Sequence, residues 1–178
     1  MYKVGDYLMH ESSGVCQVTE ISEKALHGRG SERMYYSLEP VFEKGSQIIT
    51  PVDSKARIRD VKSQDEFEEL LDDVPELDII KEENTRARAE KFKEKISLFD
   101  PAPLATVVKS IYLHQQMRIA SGKKAMSSDE RVMEVAGRRL FEEMAFSLKT
   151  DVESVKNAFF IRLEKEKEDV VEKATASK

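Results

Sequence analysis

The chain changes its hydrophobic period once. From Tyr2 to about Asp60, apolar and polar residues alternate in short runs interrupted by turn residues, the pattern of half-buried strands. Val4-Gly5-Asp6-Tyr7-Leu8-Met9 passes through a turn at Glu11 to Gly14 into Val15-Cys16-Gln17-Val18-Thr19-Glu20-Ile21, which reads as an antiparallel pair. Three more runs follow, Arg33 to Pro40, Gln47 to Pro51 and Ala56 to Asp60, with further turns at His27 to Ser31 and Glu43 to Ser46. Pro40 and Pro51 fall at strand ends, where a missing N–H does little harm. Five short strands predict a small SH3-like or Tudor-like barrel, and Cys16 lies inside it.

At Val61 the period becomes about 3.6 and stays so almost to the C-terminus. Ser63-Gln64-Asp65-Glu66 is a capping box ahead of Phe67, Leu70, Leu71 and Val74, and Pro75 ends that helix. A polar helix over about Glu83 to Leu98 is anchored by Phe92, Ile96 and Phe99. Asp100-Pro101 starts a third helix that Gly122 stops. Ser127-Ser128-Asp129-Glu130 opens a fourth, in which Gly137 marks a close helix crossing, and Thr150-Asp151-Val152-Glu153 caps a fifth. Beyond Glu164 the chain is highly charged and is expected to fray. The predicted fold is α+β, with a barrel over residues 1–60 and an all-α domain of about five helices over 61–178.

Charge is unevenly spread. The net formal charge is −5, which argues against an undirected nucleic-acid binder. Residues 61–83, however, hold ten acids and two lysines, whereas residues 84–124 hold nine bases and three acids. Any one such run reads first as a solvated helix face. The basic stretch is of more interest, because Arg86, Arg88, Lys91, Lys93 and Lys95 put cations on more than one side of a polar helix. Phosphate contact needs clustered cations and no base readout.

Little in the chain suggests catalysis. His10, His27 and His114 have no second His, Cys or acid at metal-ligand spacing, and His114 reads as a surface residue. His27-Gly28-Arg29-Gly30 lacks the Lys-Ser/Thr of a phosphate-binding loop. Met133 and Met144 fall on a core face. No cofactor, metal or small-molecule ligand is expected. The single Cys16, the lack of a run near the ~20 apolar residues of a membrane span, and an N-terminus without an apolar signal core make the cytoplasm the default location and a membrane partner unexpected.

Val4-Gly5-Asp6, Gly14-Val15, Val18-Thr19-Glu20-Ile21, Tyr36-Ser37-Leu38 and Ile48-Ile49-Thr50-Pro51-Val52 are spaced as in the barrel of a known family. Ser127-Ser128-Asp129-Glu130-Arg131 and Met133, Ala136, Leu140 continue the likeness into the helices. Over residues 2–163 the chain resembles the CarD/CdnL family of bacterial RNA-polymerase-binding transcription regulators. The resemblance implies a Tudor-like domain that binds the polymerase β subunit, a barrel shared with the transcription-repair coupling factor. It also implies a helical domain that touches promoter DNA at the upstream edge of the melted −10 region and stabilises the open complex. Of the family's two basic polymerase-contacting positions, one matches Lys24 and the other falls on Ile49; with the neighbouring strand, the candidate contacts are Lys24, Ile48, Ile49 and Thr50. The family's wedge tryptophan falls on Thr85, and this chain has no Trp. Arg88 and Arg131 match basic DNA-contacting positions, while Glu90 replaces a base. The candidate DNA set is therefore Thr85, Arg86, Arg88, Lys91, Lys93, Lys95 and Arg131, with binding weak and nearly sequence-independent. The competing reading is a protein-interaction module whose acidic segment meets a basic partner without touching DNA.

Overall fold

A run of alternating residues can bury one face only if its parity is kept, and the N-terminal strands keep it except at one point. In the computed structural model, which describes residues 1–26, 32–53 and 58–176, β1 (Tyr7–His10), β2 (Gly14–Lys24), β3 (Arg33–Pro40), β4 (Ile48–Pro51) and β5 (Ile58–Arg59) form one antiparallel sheet in the order β4-β3-β2-β1-β5. The expected turn at His27 to Ser31 and the start of the last strand, Ala56 and Arg57, lie outside the described residues. Gly14 closes the β1–β2 hairpin at φ 72°, a left-handed conformation that glycine adopts without a Cβ clash. The sheet is barrel-like and wraps a core of Leu8, Cys16, Val18, Tyr36 and Leu38, with Ile21, Ile48 and Ile58 against it. Burial pushes the Cys16 thiol up to about 11, leaving it a small core hydrophobe.

The point where parity breaks is Thr19. Val18 pairs with Leu38 and Glu20 with Ser37, so Thr19 is an extra residue in β2, its hydroxyl donating to the Ser37 carbonyl at 3.0 Å. This bulge lets Val18 and Ile21, three apart, both face the core, and it turns Glu20, Ser22 and Lys24 to the opposite face.

The chain divides into two compact units, Met1–Lys62 and Ser63–Lys178. Among the described residues the second contains six α-helices: α1 (Gln64–Asp73), α2 (Thr85–Ser97), α3 (Pro101–Ala120), α4 (Ser127–Ser147), α5 (Val152–Ile161) and α6 (Glu164–Ala176), with a 3-10 turn at Val74–Glu76. The capping box at Ser63 and Glu66 is formed in full, and Asn84, Asp100 and Asp151 cap α2, α3 and α5 with their side chains. The core joins Phe67, Val108, Ile111, Leu140, Met144 and Phe159, among others, and the Phe141, Phe159 and Phe160 rings meet edge to face.

Two expectations need correcting here. The segment beyond Glu164 is a sixth helix rather than a frayed tail. It packs along α3, and Glu166 reaches the buried Lys109 ammonium at 3.2 Å. Lys109 is 1% exposed and also donates to the carbonyls of Val74 and Pro75, so it fastens α3 to the 3-10 turn and to α6. Gly137 does not mark a close helix crossing, because a Cβ there would first meet the Phe141 ring of its own helix, at 3.4 Å.

Candidate functional site

In the N-terminal unit the bulge at Thr19 assembles a polar face around Ser37. Glu20 sits directly across from Ser37 on β3, and Ile49 on β4 lies on the other side of the same residue. Lys24, four residues beyond Glu20 on β2, sends its ammonium to Ser37 Oγ at 3.1 Å and to Glu20 Oε2 at 3.6 Å. Ser37 Oγ in turn donates to Glu20 at 3.3 Å. Hydrogen bonds from Ser22, the Lys24 charge and Ser37 hold the Glu20 carboxyl below its usual range. Lys24 and Ile49 are therefore on one face, a cation and an apolar side chain flanking a serine.

The other two candidate polymerase contacts point elsewhere. Ile48 packs against the barrel core, and Thr50 is buried with its hydroxyl 3.5 Å from His10 Nε2. Strand alternation requires this, since outward Ile49 places both neighbours inward. What residues 48–51 do offer is an edge, because β4 is the outermost strand of the sheet on that side. The Val52 amide donates to the Met34 carbonyl at 2.9 Å. Counting back by two from that pair, Thr50 and Ile48 hydrogen-bond to β3, which leaves the Ile49 N–H and C=O directed away from it.

In the helical unit the candidate cations separate by their place on α2. Arg88, Phe92 and Ile96 recur every four residues and face inward. Arg88 is 3% exposed, so it is withdrawn from the candidate DNA contacts. Its Nη2 lies 3.2 Å from Asp129 Oδ2 and 3.2 Å from Met126 Sδ, and its Nη1 donates to the Glu82 carbonyl at 3.0 Å. Asp129 is itself 4% exposed and also accepts from His114 Nδ1 at 3.0 Å. His114 is thus half-buried and bonded, not a surface residue. Its contact with Asp129 favours the imidazolium, but burial and then the Arg88 charge outweigh it and hold the pKa below the ordinary value. The neutral ring donating from Nδ1 suits both facts. Asp129 does not cap α4, whose N-cap is Met126 without a side-chain bond; it joins α4 to α2 and α3 instead.

The remaining candidates, Thr85, Arg86, Lys91, Lys93, Lys95 and Arg131, are exposed. Arg86 and Lys93, seven apart, share one flank of α2, whereas Lys91 and Lys95 share the other. Glu90 and Glu94 run along the outermost line between them, so the helix presents two cationic flanks and no single stripe. Lys91 is also paired with Glu82 at 3.0 Å, and that bond lowers the Glu82 pKa. The Arg88–Asp129 pair joins the early turns of α2 and α4, which brings Thr85 and Arg86 toward the end of α4 that carries Arg131.

Among the described residues no group of three or more His, Cys, Asp or Glu side chains could hold a metal ion, and no helix is long and apolar enough to cross a membrane. No curated protein matches the chain. Residues 2–62, the N-terminal unit almost in full, match the family model of the CarD-like/TRCF RID domain, and the helical unit lies outside that match.

Proposed function

We propose that the chain is a non-enzymatic transcription regulator. Its barrel binds the β subunit of RNA polymerase, and its helical unit contacts promoter DNA beside the −10 region and modulates open-complex stability. The observation that carries the first half is the surface around Ser37. Lys24 and Ile49 share one face next to the edge of β4, so a partner strand could pair with the Ile49 backbone while its side chains meet a cation and an aliphatic group. The family match falls on this unit. DNA contact rests on fewer groups, Arg86 and Lys93 on one flank of α2 and Arg131 near the junction with α4. A handful of phosphate contacts is weak alone, and tethering to polymerase supplies the missing effective concentration, about millimolar for a short linkage.

The second reading, a protein-interaction module that does not touch DNA, is favoured by one observation: Glu90 and Glu94 interrupt the cations of α2, and Arg88 is internal. Capture of core polymerase by the full chain, alone and with upstream-fork promoter DNA, tests both readings. Lys24→Glu is expected to weaken polymerase capture by about 1–3 kcal/mol, as a central contact would, and Ile49→Glu to do the same. Unchanged capture with both variants removes this face from the interface. Intact capture without salt-sensitive retention of the DNA leaves the interaction-module reading.

A further inference from the structure

A cleft of about 570 Å³ in the helical unit is not used by the function proposed above. One wall is α3, where Ser110, Leu113, His114, Met117 and Arg118 recur at helical spacing along one face. The facing wall is the segment 79–83, pinned by the Ile80 amide to Ser110 Oγ at 2.9 Å and by the Glu82 carbonyl to Arg88. Val170 of α6 completes it. The apolar lining is wholly aliphatic: Ile79, Ile80, Leu113, Met117 and Val170. Among the described residues no aromatic ring lines it on which a nucleobase could stack.

Two of the cations that line it, Arg118 and Lys123, lie together where α3 ends. Arg118 donates Nε to the Lys124 carbonyl at 3.0 Å, which fixes its guanidinium and leaves both terminal nitrogens without a partner among the described residues. The Lys123 ammonium beside it has no hydrogen-bond or ion-pair partner there either, nor has the Lys81 ammonium on the facing segment. Two acids also line the cleft: the Glu82 carboxylate is engaged by Lys91, and Glu83 is exposed. From Ser110 to Arg118 the helix advances about 12 Å, and an extended carbon chain advances about 1.2 Å per bond. The cleft therefore fits roughly ten carbons between its aliphatic floor and its cationic end.

We propose that this cleft binds a medium-chain aliphatic carboxylate, the acyl chain lying against Ile80, Leu113, Met117 and Val170 and the carboxylate held by the Arg118 fork and the Lys123 ammonium. A planar guanidinium with two open N–H donors matches a carboxylate bidentately, and an unpaired cation pair beside an apolar floor favours an amphipathic anion over either a neutral hydrocarbon or a small ion.

Titration calorimetry of the full chain with sodium decanoate below its micellar concentration tests the proposal, with sodium acetate, 1-octanol and ATP as parallel probes. Decanoate is expected to bind at one site with sub-millimolar affinity, and acetate and octanol at least tenfold more weakly. The double substitution Arg118→Gln with Lys123→Gln is expected to weaken decanoate at least tenfold, and Val170→Phe, which narrows the cleft from α6, to abolish it. Melting curves of both variants verify that they fold. Absence of decanoate binding, octanol binding as tightly as decanoate, ATP binding more tightly than either, or unchanged affinity in a folded Arg118→Gln/Lys123→Gln protein would each overturn it.

Discussion

A guanidinium that is 3% exposed cannot also neutralise a phosphate, and Arg88 has its partners within the protein. It carries the charge that makes a buried Asp129 tolerable and bonds the backbone leading into α2. Deleting one member of a buried ion pair strands the other, at about 3–5 kcal/mol. Arg88→Ala is thus expected to lower unfolding free energy by that amount, whereas Arg86→Ala, at an exposed position, should change it by no more than about 0.5 kcal/mol. Denaturant titration of the two variants decides the matter, and equal stability would return Arg88 to the surface. The sequence carries a signal for this role, because Arg88 stands four and eight residues before Phe92 and Ile96, on the apolar stripe of its own helix. Its partner does not show in the same way. Asp129 reads locally as part of a helix start, and only the packing of α4 on α2 reveals that the carboxylate turns to an arginine 41 residues away. His114 was illegible for the same reason, since its place at the edge of an apolar face does not say what packs opposite.

Element boundaries were legible wherever a local signal sets them. Ser63 with Glu66, Asp100 with Pro101, and Asp151 each satisfy free amides within three residues, so helix starts could be placed without tertiary information. Elements fixed by distant contacts were not. The bulge at Thr19 depends on pairing with Ser37, 18 residues on, and without it the outward set of β2 cannot be read. Strand alternation, by contrast, was available in the sequence and already conflicts with placing Ile48, Ile49 and Thr50 together on one contact face. The sixth helix is the clearest case: its sequence is highly charged and buries no residue fully, so amphipathic reasoning leaves it loose, yet Glu166 completes the site of Lys109. Ending the chain after Leu163 is expected to remove helical signal at 222 nm equivalent to about the 13 residues of α6. It should also cost about 2 kcal/mol or more of stability, the value of a charge-assisted bond to a buried ammonium. A truncated protein with the parent's melting temperature would mean that the segment is loose after all.

At the scale of the whole molecule, the proposed mechanism depends on charge placement more than on net charge. The acidic run over residues 61–83 and the acids along the outer line of α2 weaken any long-range pull on DNA, so the protein should hold a promoter only when polymerase presents it. Thr85 then decides what contact accomplishes. It is the exposed first residue of α2, beside Asn84, which caps the Arg86 and Ala87 amides. Opening a base step costs a few kcal/mol, which a large inserted side chain offsets and a threonine does not. If Arg86 and Arg131 grip phosphates near that end of α2, as proposed, and Lys93 does so farther along it, Thr85→Trp is expected to lengthen the competitor-resistant lifetime of open complexes severalfold over the natural protein on the same promoter. The lengthening should shrink as salt is raised, because it depends on those phosphate contacts. Lifetimes measured with no factor, with the natural protein and with Thr85→Trp give the answer. If the natural protein already prolongs the complex and the tryptophan adds nothing, DNA is not opened from this corner of the helical unit, and Thr85 has no part in the mechanism.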